Sequence, residues 1–148
     1  MLKKIILSIK SHNLRKICSQ SSIPSLKNLC IQVVPMPSDT NPNGDIFGGW
    51  LVSQMDLAGL IGCRKVCYGR YATVAMNSIY FKQPVKLGDA LSIYCIPKKI
   101  GNTSITLDIK SYLTPFHNTH LIEVSSALFT FVRINEHSKP IPICFQKK

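Results

Sequence analysis

The stretch from residue 47 to residue 67 constrains the fold more than any other part of this 148-residue chain. It has helical length, contains no proline, and is apolar around most of a helix circumference. At ~1.5 Å per residue, such a helix would be roughly 30 Å long. An all-round apolar helix is typical of one that protein encloses, not of one lying on a surface. Its glycines lower helix propensity, so something other than propensity must favour small residues at Gly48, Gly49, Gly59 and Gly62.

The segments on either side of this helix predict β-strands. Residues 29–34 form one short apolar run before the helix, and a loop rich in proline and asparagine follows that run. Alternating apolar and polar residues, bounded by turn formers, predict four more strands after the helix, at residues 71–81, 91–97, 104–113 and 121–134. The loops between them are short, which predicts one continuous sheet. The fold class expected is therefore α+β, with an antiparallel sheet wrapped around a long central helix.

Charge and composition divide the chain into three parts. The formal net charge is +11, but six of the 18 basic residues and none of the seven acids lie in residues 1–30. Residues 1–28 are therefore predicted to be a poorly ordered basic extension on a cytoplasmic protein. The alternative is a presequence for the mitochondrial matrix, because apolar residues recur there at helical spacing. Residues 29–135 form the predicted folded domain, and the proline-interrupted residues 136–148 an irregular tail.

Several binding classes are not expected. Nucleic-acid binding needs clustered basic and aromatic residues on a folded face, whereas here the excess charge sits in the extension. No apolar run reaches the ~20 residues that span a bilayer. The six cysteines contain no CxxC pair, and the HxxH formed by His117 and His120 lies in a predicted turn. Neither a metal site nor a cofactor is therefore predicted, and the cysteines are expected to be reduced thiols.

Asp56 is an acid placed among apolar residues of the predicted helix. An ionised carboxylate in such a setting is costly unless it finds hydrogen-bond donors or takes up a proton. One interpretation is structural: the side chain faces a polar seam, a donor, or solvent at a subunit joint. The other is functional: a carboxylate held in a partly dry site has raised basicity and can act on water.

The turn before the helix carries a second acid, Asp45, and the pair Gly48-Gly49. Asp45 has an ordinary explanation, because an acid near a helix start is favoured by the free amides and the helix dipole. The glycine pair suggests more, since a ligand could closely approach the free backbone N–H groups. Backbone donors beside a carboxylate are the minimum requirement for hydrolysis of an acyl group, because the donors hold the developing oxyanion.

The motif MPSDTNPNGDIFGGWLVSQMD, which ends at Asp56, resembles the signature of YciA-type acyl-CoA thioesterases of the hot-dog superfamily. The resemblance continues through GRYATVA, the Phe81-x-x-Pro84-Val85 segment, Gly88-Asp89 and the ALFTFV strand, and covers about residues 29–135. Pro42 and Ser78 depart from the family pattern. The resemblance implies a hot-dog fold, hydrolysis of acyl-CoA to a free acid and CoA, and no cofactor. It also implies active sites at the interface of a dimer, with three dimers forming a hexamer.

The resemblance also assigns roles to residues. It makes Asp56 the general base or nucleophile, Asp45 a supporting acid presented across the subunit interface, and the Gly49 amide, then that of Gly48, the oxyanion donor. Asn43 is expected to support the turn. The strand after the helix is expected to pair its backbone with the pantetheine amides, and basic or turn residues to reach the nucleotide. The predicted CoA contacts are thus Asn43, Arg70, Thr73, Val74, Ala75, Lys82, Gly101 and Ser104.

Two other functions use the same residue pattern differently. A hot-dog hydratase or dehydratase would need a catalytic histidine near the helix, and none lies between His12 and His117. A non-catalytic acyl-CoA sensor would bind CoA without turning it over. The sequence favours the hydrolase, and it does not determine the preferred acyl chain length.

Overall fold

A computed structural model describes residues 24–117 and 119–144 of the chain. Short 3-10 turns at Leu26–Asn28 and Pro37–Asp39 precede the helix. The named elements are one helix and five strands: α1 Gly48–Val66, β1 Leu29–Val33, β2 Arg70–Phe81, β3 Ala90–Ile100, β4 Ser104–Thr114 and β5 Ile122–Ile134. Each lies within a few residues of its predicted position. The predicted fold class, a long helix against a five-stranded antiparallel sheet, is confirmed.

The sheet has the strand order β1-β3-β4-β5-β2, and all neighbouring strands are antiparallel. The inner strands β4 and β5 turn alternate residues towards the helix, which buries Ile105, Leu107, Ile109, Phe129 and Phe131. On the helix, Leu51, Met55 and Ala58 complete this core. β2 is an edge strand. It carries two irregularities, at residues 73–75 and 77–80, and Ser78 in the second has a φ of 53°.

The helix lies very close to the sheet at two glycines. A Cβ on Gly59 would come within 2.2 Å of the Phe131 ring, and one on Gly62 within 2.7 Å of the Cys95 Cβ. Neither position can hold a side chain without moving the helix or the sheet. The low propensity of this segment is thus explained by packing at Gly59 and Gly62. Gly49 is different, because a Cβ there would meet nothing within 4 Å.

Its own chain covers one side of the helix and leaves the other side exposed. Its outer face exposes Leu57 at 52% and Ile61 at 37% of their surface. The neighbouring edge strand exposes further apolar side chains, including Val74 at 57%. A single chain therefore does not by itself provide the all-round enclosure that the sequence predicts for this helix. The exposed apolar surface next to an unpaired strand edge is the kind that self-association covers.

After β5 the chain folds back along the end of the sheet. The Ile141 amide donates to the Arg133 carbonyl at 2.9 Å, and the Ile143 amide to the Asn102 carbonyl at 2.7 Å. The tail thus lies against the turn between β3 and β4. Most of the basic extension, residues 1–23, lies outside the described residues. Within the described residues, no helix combines the length and the apolar character needed to cross a bilayer.

The close contact at Gly59 predicts a large stability difference between two glycine-to-alanine substitutions. Gly59→Ala should lower the free energy of unfolding by about 1–3 kcal/mol, because the added methyl group overlaps the Phe131 ring. Gly49→Ala should keep or slightly raise it, since alanine is the better helix former and has room. Urea unfolding of both variants measures the difference. Equal stability of the two would contradict the helix placement.

Candidate active site

Asp56 lies on the flank of α1 that faces the edge strand. The Thr73 hydroxyl of β2 donates a hydrogen bond of 2.6 Å to Asp56 Oδ1. Asp56 is half-buried, between the core stripe of the helix and its exposed face. The carboxylate is therefore partly accessible from outside the chain. The structural interpretation of this acid, that it faces a donor at a subunit joint, and the functional one are both compatible with this placement.

The first turn of α1 offers backbone donors without side-chain caps. The N-cap residue is Phe47, whose side chain makes no capping hydrogen bond. The first amides of a helix have no acceptor within it, so those of Gly48 and Gly49 are available. A Cβ added to Gly48 would meet the Phe81 ring at 3.5 Å, whereas one added to Gly49 would meet nothing within 4 Å. The chain's own packing does not require a glycine at position 49, and an approaching ligand or partner would explain one.

Asp45 lies outside the helix and lines a cavity of about 340 Å³. Because the N-cap is Phe47, Asp45 does not occupy the capping position, and the capping explanation is not supported. The cavity brings three predicted site residues together, Asp45, Gly48 and Lys82. Leu51, Pro84 and Val85 are among the apolar residues that line it. The lining thus combines polar and apolar residues, as in many ligand pockets.

Asn41, which the sequence interpretation did not single out, organises the turn that holds Asp45. Its Oδ1 accepts the amides of Asn43 at 2.9 Å and Asp45 at 3.2 Å, and its own amide donates to the Asp45 carbonyl at 2.7 Å. Asn43, the predicted supporting residue, is exposed and takes part through its backbone. The signal was present in the sequence: asparagine before Pro-Asn-Gly commonly closes an Asx turn.

The carboxylate and the amide expected to act together are not adjacent in one chain. Gly49 and Asp56 are seven residues apart, so they lie on the same helix face but roughly 10 Å apart along its axis. Groups that act on one thioester carbonyl must each lie within about 3 Å of the reacting atoms. A single chain therefore keeps the two predicted groups apart, one at the helix start and one at its middle.

The predicted CoA contacts are distributed over the length of the sheet. Thr73 lies at Asp56, and Val74 and Ala75 follow along β2. Arg70 pairs with Ile134, and Ser104 with Val132, so these residues and Gly101 lie at the end of the sheet where β5 finishes. The opposite end, where β5 begins, holds Lys82, whose ammonium forms an ion pair with Glu123. Within one chain, these residues do not form a single pocket.

Comparison with known proteins places the chain in a family. A sequence model described as thioesterase superfamily matches residues 43–113. The acyl-CoA thioester hydrolase YciA of Salmonella typhimurium is 37% identical over 121 residues, which cover 80% of this chain and 91% of that protein. This chain belongs to the thioesterase superfamily. The membership predicted from the motif around Asp56 is confirmed.

Two solved members of the superfamily have the same fold. HI0827, a hexameric broad-specificity acyl-coenzyme A thioesterase solved as a mutant enzyme, aligns with a TM-score of 0.78 at 34% identity, over 80% of this chain and 88% of that one. Cj0915, a hexameric hotdog fold thioesterase of Campylobacter jejuni, gives a TM-score of 0.74 at 41% identity, over 79% and 90% of the two chains. The chain is thus a member of an enzyme family with a hot-dog fold.

The turn geometry predicts unequal effects of two neighbouring asparagine substitutions. Asn41→Ala should lower the free energy of unfolding by about 1–2 kcal/mol, because two backbone amides lose their side-chain acceptor. The matched control Asn43→Ala should change it by less than about 0.5 kcal/mol, since position 43 is exposed. Urea unfolding monitored by the single tryptophan provides the measurement. An Asn43 effect as large as that of Asn41 would contradict the assignment.

Proposed function

We propose that the protein hydrolyses the thioester of acyl-CoA to a free carboxylic acid and CoA. The observation that carries this proposal is a helix with an open Gly49 amide and, on the same face, the Asp56 carboxylate held by Thr73. Acyl-CoA hydrolysis in the relatives described above supports the choice of substrate. The reaction needs no metal or cofactor, because CoA is itself part of the substrate.

The active site is composite, with Asp56 from one subunit and the Gly49 amide from another. The roughly 10 Å between them on one rigid helix excludes joint action on one carbonyl within a chain. If two copies of α1 pack antiparallel about a two-fold axis midway between these residues, each Gly49 lies opposite the partner subunit's Asp56. Two equivalent sites then form per dimer.

The exposed apolar residues support this arrangement. Leu57 and Ile61 on the helix, together with Val74 on the unpaired edge of β2, form a surface suited to a second copy. Burying it would also remove water from the neighbourhood of Asp56. The hexameric state of HI0827 and Cj0915 supports assembly of three such dimers.

In the proposed reaction, the carboxylate of Asp56 accepts a proton from a water molecule that attacks the thioester carbonyl. The Gly49 amide, with Gly48 next to it, donates to the oxyanion as it forms. Collapse of the tetrahedral intermediate expels the CoA thiolate, which takes up the proton that Asp56 received. The Thr73 hydroxyl orients the carboxylate towards the water. Direct attack by Asp56, through an anhydride that water then hydrolyses, uses the same atoms in the same place.

The remaining predicted site residues bind CoA or support the catalytic groups. Asp45, whose turn is held by Asn41, lines the cavity beside the helix start and is the supporting acid presented to the site across the subunit interface. Backbone groups at Val74 and Ala75 on the edge strand are placed to pair with the pantetheine amides. Asn43, Arg70, Lys82, Gly101 and Ser104 are proposed contacts for the rest of CoA. In the case of Lys82, binding a phosphate would compete with its ion pair to Glu123.

Removing the carboxylate charge tests the central residue. Asp56→Asn should lower kcat/KM for acyl-CoA by about 100- to 10,000-fold, because the amide cannot accept the proton. Thiol release from short, medium and long acyl-CoA, together with the oligomer mass, gives the measurement. The control is Glu136→Gln, an exposed carboxylate that is not among the proposed site residues and lies away from Asp56 and Gly49, which should retain wild-type rates. A folded, assembled Asp56→Asn enzyme with normal activity would refute the assignment.

Mixing two inactive variants tests the composite site. Gly49→Pro deletes the proposed donor within the first helical turn, where proline is tolerated, and should cost about 100- to 1000-fold in rate. When Asp56→Asn and Gly49→Pro chains are unfolded together and reassembled, half the dimers contain one chain of each kind. Each of these holds one intact site, so about one quarter of wild-type activity should return. No recovery despite verified mixed dimers would show that both groups act within one chain.

A further inference from the structure

Two cysteine sulfurs are in direct contact at the C-terminal end of α1, far from the Gly49 end. The Sγ atoms of Cys67 and Cys144 are 3.1 Å apart, although 77 positions separate the residues in sequence. This distance exceeds the ~2.05 Å of a disulfide bond by only roughly 1 Å. The Cys144 amide also donates to the Cys67 sulfur at 3.3 Å.

Backbone hydrogen bonds hold both cysteines in place. Cys67 is the residue that ends α1, and its amide donates to the Cys63 carbonyl at 3.0 Å. Cys144 follows Ile143, whose amide donates to the Asn102 carbonyl at 2.7 Å. Arg133 joins the two segments, because its guanidinium donates to the carbonyls of Pro142 and Tyr68. Backbone hydrogen bonds and Arg133 therefore fix the positions of both cysteines and bring their sulfurs into contact.

The two thiols differ in access. Cys67 is fully buried, whereas Cys144 is exposed. Burial raises the pKa of Cys67, but hydrogen bonds from Cys144 and Tyr71 and the charge of Arg133 outweigh it, so the pKa of this thiol lies below its ordinary value. The same contact with Cys67 raises the pKa of Cys144, so the shared proton stays on Cys144 until this thiol reacts. An accessible thiol that reacts first, beside a buried thiol that readily forms a thiolate, is the arrangement required for intramolecular disulfide formation.

We propose that Cys67 and Cys144 form a reversible disulfide site, oxidised by exchange with a low-molecular-weight disulfide such as oxidised glutathione. The Cys144 thiolate attacks one sulfur of the small disulfide, forms a mixed disulfide and releases one thiolate. The Cys67 thiolate then attacks the Cys144 sulfur, closes the protein disulfide and releases the second thiolate. The two protons lost by the cysteines end on the two released thiols, and the small disulfide accepts both electrons.

The bond would fasten the tail to the end of the helix. It closes a loop of 77 residues and joins the tail, which lies on the Asn102 turn, to the junction between α1 and β2. A cross-link over a loop of this length should raise Tm by roughly 5–10 °C. The reduced chain lacks this link, so the stability of the assembled protein should follow the thiol–disulfide balance around it.

Peptide mapping of the native, full-length assembly tests the site. The protein is incubated with oxidised glutathione, its free thiols are blocked with an alkylating reagent, and it is digested with trypsin. Cys67 and Cys144 lie in separate tryptic peptides, residues 66–70 and 134–147, and neither contains another cysteine. We expect these two peptides to be joined in the wild type and separated again by dithiothreitol, with the rise in Tm appearing and disappearing in parallel.

Three cysteine variants test whether the joined peptides come from Cys67 and Cys144. Cys30→Ser, which also removes one thiol, should still give the joined peptides, whereas Cys144→Ser should give none and no rise in Tm. Cys67→Ala should stop at a glutathione adduct on Cys144. The proposal is overturned if the wild type also stops at that adduct, or if its two cysteines stay alkylatable after oxidation. No acyl-CoA enters the experiment, so its result is independent of the proposed enzymatic function.

Discussion

The contact between the central helix and the sheet at Gly59 and Gly62 is the constraint on which the rest of the structure depends. The helix backbone lies so close to Phe131 and Cys95 that even a methyl group would overlap them. Interiors packed this tightly do not let a helix slide or rotate freely. The contact therefore decides which flank of the helix faces the edge strand, and with it the position of Asp56 beside Thr73.

A rigid helix also limits what one chain can do. It presents the Gly49 amide and the Asp56 carboxylate on the same face but keeps them roughly 10 Å apart, more than one reacting carbonyl can bridge. The outer face of the helix exposes Leu57 and the neighbouring edge strand exposes Val74, and both are costly to leave in water. Under the proposed function, a second copy of the chain would both complete the site and cover the exposed apolar surface. Assembly and activity would then both follow from the same helix placement.

The two ends of the helix serve different purposes. Its start has free amides and open space, as a site for an anionic intermediate requires. Its last turn is held by the tail through Arg133 and by the contact between Cys67 and Cys144. A covalent bond at that end would stiffen the junction that leads into β2 and would leave the helix face with Gly49 and Asp56 free. The proposed disulfide and the proposed catalytic groups therefore lie at different positions along α1.

Local patterns in the sequence determined the helix, the strands and the family, because periodicity and turn chemistry depend on near neighbours. The motif around Asp56 also predicted which acid reacts. The tertiary structure alone decided what lies beside what: Thr73 on Asp56, Phe131 on Gly59, and Cys144 on Cys67. These pairs are separated by 17 to 77 positions, and their meeting depends on strand register, on the irregularities in β2 and on the path of the tail. No local sequence pattern determines the strand register or the path of the tail, since both result from packing the whole chain at once.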